Sequence, residues 1–137
     1  MNKKSNKEKG NKFEDDFAKL LEEMGYWVHS VAGASHTGSQ PCDIIAIINS
    51  ENFLIDCKTL ENKNGLFPIS RIEENQRLAF ERYVKCNNNI DNFLLAILWN
   101  NCVYTVKFKN IDFNQKSYKI QDDEIFIKDF YNENNSG

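Results

Sequence analysis

Two aspartates and a lysine stand where a pair of neighbouring strands would bring them together. Asp43 comes directly before an apolar run, and Asp56-Cys57-Lys58 lies inside a second one, a short polar turn further along. Because side chains alternate along a strand, Asp56 and Lys58 share one face and Cys57 takes the other. Two aspartates and the Cys57 backbone carbonyl form a ligand set that suits Mg²⁺. The predicted chemistry is phosphodiester hydrolysis, with the lysine orienting the attacking water and offsetting charge on the phosphate.

This motif also has a purely structural interpretation. A lone D-x-K sequence on a strand is usually a solvated face or a surface ion pair, and an aspartate soon after Pro41 fits turn chemistry. Charges on strongly apolar strands, however, cost free energy unless they are paired or bind a metal. The two strands taken together therefore favour a metal site.

The elements that must position these residues follow from the hydrophobic pattern. An amphipathic helix is predicted from Lys12 to Met24, ended by Gly25, and a second helix opens at Ser70 with Glu73 in its capping box. Aromatic and β-branched runs predict strands, with a small, polar loop after the first of them. The predicted strands are Tyr26–Ala32, Asp43–Ile48, Asn52–Thr59, Phe93–Trp99 and Cys102–Phe108, with a further short strand around Ile125–Ile127, and the loop is Gly33–Pro41. The order α-β-β-β-α-β-β predicts an α/β fold, a mixed sheet flanked by helices, with the second strand central and covered on both sides.

Four short motifs in this arrangement resemble the PD-(D/E)XK nuclease superfamily. They are Gly10-Asn-Lys-Phe-Glu14, Gly25-Tyr26, Pro41-Cys-Asp43 and Asp56-Cys-Lys58, in a similarity that extends from about Gly10 to Tyr83. Within the superfamily the chain most resembles the Holliday junction resolvases of archaea and of Gram-positive bacteria and their phages. Two positions depart from the pattern, since Cys42 splits the Pro-Asp pair and Asp56 stands where Glu is usual. The resemblance implies a restriction-endonuclease-like fold and a metal-dependent DNA endonuclease.

The resemblance also implies catalytic residues outside the two strands. Glu14 matches an acidic residue of the first helix that completes the metal site; its alternative is an ordinary helix-surface carboxylate. Ser35 matches a loop serine that would approach the scissile phosphate, with His36 and Thr37 as further donors. Gln76 matches a glutamine of the bacterial enzymes, where water or phosphate would be its partner. A structural hydrogen bond to the backbone is the alternative for Gln76.

The charge distribution is compatible with a DNA partner. The net charge is −3, but the first twelve residues are rich in lysine and the last eighteen in acidic residues. Two solvated termini would explain this distribution equally well. The basic residues predicted to contact phosphates are Lys12, Lys63, Arg71 and Arg77.

Cysteine spacing and hydropathy limit the class of protein. The four cysteines are widely separated and include no C-x-x-C pair, so neither a zinc site nor a disulfide scaffold is predicted. No apolar run is long enough to span a bilayer, and no secretory signal is evident, which predicts a cytoplasmic protein. The Lys/Asn-rich usage suits a bacterial or phage-encoded chain. We expect a basic, flexible arm at 1–11, a single nuclease domain at 12–131 and a flexible tail at 132–137.

Taken together, the residues and the resemblance predict a Mg²⁺-dependent endonuclease that cuts four-way DNA junctions as a homodimer, with Mn²⁺ able to substitute. Phe and Tyr residues near the C-terminus are candidates for the dimer interface. Two alternatives stay open. One is a related nuclease acting on forks, flaps or a short recognition sequence, and the other is a catalytically silent DNA-binding or nuclease-inhibiting module of the same fold.

Overall fold

The computed structural model describes residues 6–31, 42–86 and 88–132, with the backbone alone for 6–9. The helices are α1 (Asn6–Glu23) and α2 (Glu74–Lys85). The strands are β1 (Trp27–Ser30), β2 (Ile44–Ile48), β3 (Glu51–Leu60), β4 (Leu66–Pro68), β5 (Phe93–Trp99), β6 (Cys102–Lys107), β7 (Ser117–Lys119) and β8 (Ile125–Ile127). Short 3₁₀ turns connect several of them, at Ile69–Arg71, Ile90–Asn92, Phe108–Asn110 and Asp122–Glu124.

Six strands form one mixed sheet in the order β1-β2-β3-β5-β6-β8. β3 and β5 are parallel and are joined by the crossover that contains α2, whereas the other neighbours in the sheet are antiparallel. This topology confirms the predicted α/β fold. A separate antiparallel pair, β4 with β7, was not predicted, because strands of three residues show too little alternation to stand out.

The sheet separates two hydrophobic cores. On one side α1 buries Phe13, Phe17 and Leu21 against β2, β3 and β5, and their spacing of four residues places them on one helix face. On the other side α2 packs through Phe80 and Tyr83 against an apolar cluster from β4, β5 and β6. The two helices thereby fix β3 between them, and β3 is the strand that carries the D-x-K motif.

Helix α1 is longer than predicted at its N-terminal end. It begins at Asn6 instead of Lys12, so part of the segment expected to be a flexible arm is helical. At the other end Gly25 has a φ of 99°, the left-handed conformation that commonly follows a helix. Met24, predicted on the inner face, is 45% exposed because the helix ends at the residue before it.

Helix α2 begins at Glu74, later than the predicted start at Ser70. Ser70 lies in a short 3₁₀ turn, and Ile72 after it is extended and buried in the core. The capping box forms further along the chain. The Glu73 side chain accepts from the backbone at Gln76, and the Gln76 side chain accepts from the Glu73 N–H. Anchoring Ile72 in the core delays the helix until this second capping pair.

Strand β2 is not the central strand that its apolar sequence suggested. It lies second from the edge of the sheet, and β3 and β5 occupy the centre. Ile44 and Ala46 are fully buried against α1, whereas Ile45 and Ile47 on the opposite face are only half-buried. A continuous apolar run therefore marks one covered face here, with the other face partly open.

Two hairpins of the same design frame the centre of the sheet. Asn49–Ser50 joins β2 to β3, and Asn100–Asn101 joins β5 to β6. All four residues have positive φ, with values of 50°, 66°, 57° and 59° in chain order, as a type I′ turn requires. The sequence predicts a type I′ turn at its Asn100-Asn101 dipeptide and a short first turn over Asn49–Asn52. The structure confirms the former and shortens the latter to two residues.

Candidate active site

Asp43 lies directly before β2, where the backbone pairing between β2 and β3 ends. Its N–H donates to the Ile55 carbonyl at 2.9 Å, and its own carbonyl accepts from the Val31 N–H at 2.8 Å. The Asp43 Oδ2 accepts a hydrogen bond from the Cys57 N–H at 2.8 Å. The Asp43 side chain thus adds one further hydrogen bond to β3 beyond the last backbone hydrogen bond between the two strands. This contact holds the Asp43 carboxylate beside the Asp56-Cys57-Lys58 segment.

Asp56 is a buried charge with incomplete pairing. It is 2% exposed, and its Oδ2 has no hydrogen-bond partner in the part of the chain that the structure describes. The Lys58 Nζ lies 3.3 Å from this oxygen, which confirms that both side chains project from one face of β3. Burial raises the pKa of Asp56 well above its ordinary value; the charge of Lys58 lowers it and that of Asp43 raises it further. An ionised Asp56 therefore needs more positive charge than Lys58 alone supplies.

Glu14 approaches the same region from α1. It is half-buried, and burial raises its pKa to about 7, with further increases from the negative charges of Asp43 and Asp15. The thiol of Cys57 has a raised pKa, first through burial and then through the charges of Asp43, Asp56 and Glu14. The charges of all three carboxyl groups therefore act on one short stretch of β3.

The donor set at this site suits a hard divalent cation. Asp43 and Asp56 offer carboxylate oxygens, and the buried Oδ2 of Asp56 lacks a hydrogen bond. Across residues 6–31, 42–86 and 88–132, no three His, Cys, Asp or Glu side chains form a ready metal cluster. Mg²⁺ needs no such cluster, because it commonly takes one or two carboxylates and completes its octahedron with water and phosphate oxygens.

Two thiols, Cys42 and Cys57, lie next to the acidic residues of this site. Burial, with the charges of Asp43 and Asp56, raises the pKa of Cys42 to about 12, and the pKa of Cys57 is also well above its usual value. Both thiols are therefore protonated at neutral pH in the metal-free protein.

A cleft of about 540 Å³ opens beside Lys58 at the carboxyl end of β3. Its lining is mostly polar and consists of Gly10, Cys57, Lys58, Thr59, Glu61 and Arg71. Thr59 and Glu61 were not predicted as site residues. Their position in the sequence could have indicated them, because residues that closely follow Lys58 on β3 lie near the same edge of the sheet. The cleft therefore places Lys58 and Arg71 on one open surface.

Comparison with known proteins identifies the family. A family model described as archaeal Holliday junction resolvase (hjc) matches residues 5–135 of the chain. This chain belongs to the Hjc family. A solved structure of Archaeoglobus fulgidus Hjc, a Holliday junction resolvase from an archaeal hyperthermophile, aligns with a TM-score of 0.57 at 17% identity. The alignment covers 82% of this chain and 87% of that one, which confirms the shared fold. A search of curated proteins gave no match.

Membership of the Hjc family confirms the predicted nuclease resemblance and makes this chain a Holliday junction resolvase nuclease. The family description is archaeal, so the expected bacterial or phage origin finds no support. Among the helices in the described ranges, none is both long and apolar enough to cross a membrane.

Gln76, predicted as a catalytic residue, has a structural partner in this Hjc-family chain. It is 7% exposed, and its side-chain oxygen accepts from the Glu73 N–H at 3.1 Å. This bond closes the capping box at the start of α2. The structure thus shows the backbone hydrogen bond that the sequence analysis gave as the structural alternative for Gln76.

The predicted phosphate-binding residues are unequal in their surroundings. Lys12 forms an ion pair of 2.7 Å with Asp16, so part of its charge is already compensated. Lys63 and Arg77 are exposed and lie outside the cleft lining. Arg71 alone among the four lines the cleft beside Lys58.

The predicted loop residues Ser35, His36 and Thr37 lie outside the described residues, so their part in the site stays a prediction. Cys57 is described, and the role of its backbone carbonyl as a metal ligand also stays a prediction. The aromatic residues near the C-terminus, expected at a dimer interface, contact α1 of the same chain. Phe130 stacks edge-on against Phe13, and the Tyr131 hydroxyl donates to Asp16.

Proposed function

We propose that this Hjc-family chain cuts four-way DNA junctions in a reaction that depends on a divalent cation, with Asp43, Asp56, Lys58 and Glu14 as its catalytic residues. Mg²⁺ is the expected ion, and Mn²⁺ is expected to replace it. The nuclease activity follows from the family, whereas the metal and the residue roles are our proposal.

The observation that carries this proposal is the buried carboxylate of Asp56. Within the described residues its Oδ2 has no hydrogen-bond partner, and the Lys58 Nζ lies 3.3 Å from it. A buried carboxylate in this state is costly, and evolution usually removes such a group unless a ligand compensates it. A divalent cation shared with Asp43 would supply the missing charge.

The chain's own residues would divide the reaction among them. Hydrolysis adds a water oxygen to phosphorus and breaks the bond to the 3′-oxygen, leaving a 5′-phosphate and a 3′-hydroxyl. When bound, Mg²⁺ would act as a Lewis acid on the phosphate and lower the pKa of a water molecule. Asp43 and Asp56 would hold the ion, Glu14 would complete its surroundings from α1, and Lys58 would orient the attacking water and offset phosphate charge.

A junction substrate also places demands on the rest of the molecule. Two symmetric cuts across a branch point call for two active sites, which a two-fold dimer supplies. Lys63, Arg71 and Arg77 would contact phosphates and position the DNA without selecting its sequence. Lys12 would contribute less, because it is already paired with Asp16.

Cleavage of a labelled four-way junction tests this proposal. With Mg²⁺ or Mn²⁺ we expect paired, symmetric nicks on the junction, no cutting of a linear duplex, and no cutting of either in EDTA. Asp43→Asn should reduce cleavage by about a thousandfold, in the range found when one charge-stabilising group is removed from an active site. The asparagine oxygen can still accept from the Cys57 N–H, so we expect the variant to fold.

Asp123→Asn provides the matched control, because Asp123 is exposed in a 3₁₀ turn away from the cleft. It should cut at the wild-type rate. Normal cleavage by Asp43→Asn would refute the residue assignment. Binding of the junction without any cutting in Mg²⁺ or Mn²⁺ would instead indicate a silent DNA-binding module, and equal cutting of forks or flaps would indicate a broader nuclease.

A further inference from the structure

Within the described residues, nothing requires Gly10 to be a glycine. It lies inside α1 (Asn6–Glu23), where glycine is less favourable than alanine because it loses more backbone freedom on folding. A Cβ placed on Gly10 would meet no atom within 4 Å, so nothing in the described structure requires the side chain to be absent. Gly65 shows the contrast, since a Cβ there would lie 2.8 Å from the ring of Trp99.

The open side of Gly10 faces a place where DNA would pass. Gly10 lines the 540 Å³ cleft together with Lys58, Thr59 and Arg71. Glycine in a helix beside a binding cleft allows a ligand to approach the helix backbone more closely than any other residue would. The described contacts leave the missing side chain unexplained, and the adjoining cleft leaves room for a ligand to account for it.

Arg71 is held in position at the same cleft. One of its guanidinium N–H groups donates to the Thr59 carbonyl, and the guanidinium lies over the ring of Phe67, 5.1 Å from its centroid. A guanidinium has five N–H donors, so the remaining ones are available for phosphate oxygens. Because these contacts fix the side chain before DNA arrives, little conformational entropy is lost on binding.

We infer that the cleft between Gly10 and Arg71 is a subsite for the DNA backbone next to the cleaved phosphate. This inference rests on the proposed function and extends it by naming where the neighbouring phosphodiester binds. Arg71 contacts that phosphate, and the bare backbone at Gly10 lets the strand lie against α1.

Gly10→Ala tests the subsite through two effects of opposite sign. Alanine should stabilise the free protein and raise its Tm by about 3 °C, because it favours the helix and meets no clash. The same variant should bind a fluorescent four-way junction in EDTA about fivefold more weakly and cut it with a higher KM. Asn11→Ala, at the exposed neighbouring position in α1, should raise the Tm without changing junction affinity.

Arg71→Gln tests the charge of the subsite through the salt dependence of binding. Loss of one phosphate contact should reduce the slope of log affinity against log salt by about 0.9 and weaken binding about tenfold at low salt. Arg71→Lys should keep the slope and lose only part of the affinity. Arg82→Gln is the control, because Arg82 is exposed in the last turn of α2 and does not line the cleft. The salt slope of this variant should equal that of the wild type.

The outcomes separate the subsite from the proposed function. If wild-type protein binds and cuts the junction but Gly10→Ala and Arg71→Gln match it in affinity and salt slope, the subsite is refuted and the function stands. If wild-type protein neither binds nor cuts, both fail together. Destabilisation by Gly10→Ala would also overturn the inference, because it would reveal an internal reason for the glycine.

Discussion

The two hairpins of the central sheet share one design and differ in what they bury. Each has a two-residue turn with positive φ, and each pairs antiparallel strands over at least five residues. The β5–β6 hairpin buries an apolar interior in which Leu95, Ile97 and Val106 are completely inaccessible. The β2–β3 hairpin buries Asp56 at the same depth and holds Asp43 against its end.

This difference distinguishes residues that are buried because they stabilise the fold from residues whose burial needs a functional explanation. The β5–β6 hairpin contains the groups that hydrophobic burial selects, and its residues need no further explanation. The β2–β3 hairpin contains groups that burial alone would exclude. Asp56 pairs in register with Leu95 across the parallel β3–β5 ladder, so the two residues occupy equivalent, buried positions with opposite chemistry.

A polar side chain placed in the apolar β5–β6 hairpin should have the largest effect on the free energy of unfolding. Leu95→Asn would remove core packing and bury an amide without a partner, and we expect a loss of about 4 kcal/mol or more in the free energy of unfolding. Denaturant unfolding measures this loss. Leu78→Asn, at a position 50% exposed on α2, is the control and should change stability by less than about 1 kcal/mol. Equal effects of the two variants would contradict the contrast.

The buried carboxyls should give the free protein an unusual dependence on pH. Asp56 and Glu14 have raised pKa values in the folded state, so the fold binds protons more tightly than the unfolded chain. Their contribution to stability is complete below pH 4 and is lost as the pH rises through the folded pKa values. Metal-free protein should therefore show a Tm that falls between about pH 5 and pH 8.

Two controls sharpen the pH experiment, which scanning calorimetry can carry out. Asp16 and Asp91 have lowered pKa values, so their effect on stability is confined to more acid conditions and leaves this window unchanged. Excess Mg²⁺ should restore the Tm most strongly at pH 8, where the carboxylates are free to bind it. A Tm that rises steadily from pH 5 to pH 8 without metal would contradict the assignment of Asp56 and Glu14.

The turns offer the smallest test of the comparison. Ser50 has a φ of 66°, so Ser50→Gly should relieve strain and stabilise the protein by about 1 kcal/mol. Asn101→Gly should destabilise it instead, because the Asn101 side chain both donates to and accepts from the backbone of Tyr131. Thermal unfolding of the two variants measures both signs, and neither change should alter cleavage.

The sequence predicted the parts of the molecule that repeat a simple pattern. Alternation on β3 placed Asp56 and Lys58 on one face. The four-residue spacing of the apolar residues Phe13, Phe17 and Leu21 predicted α1. The Asn-Asn dipeptide predicted the second hairpin turn. The convergence of Asp43 with the D-x-K segment followed from pairing their strands, and the structure adds the hydrogen bond from Cys57 to Asp43 that holds it.

What the sequence did not predict depends on choices made in three dimensions. Ser70 and Glu73 both suit the start of a helix, and the burial of Ile72 decides in favour of the second. The Gln76 Oε1 accepts from the Glu73 N–H, a local helix cap that the hydrophobic pattern of the sequence does not report. The β4–β7 pair depends on contacts between segments about fifty residues apart, which local patterns do not report.

The stability and activity of Asp56→Asn, measured on the same sample, test the central claim most directly. If Asp56 is retained for catalysis, the variant should be more stable than the metal-free wild type at pH 8, because it removes a buried charge. It should also fail to cut a four-way junction in Mg²⁺ and gain no stability from the ion. A variant that cuts at the wild-type rate, or that is destabilised at pH 8 and still stabilised by Mg²⁺, would contradict the account.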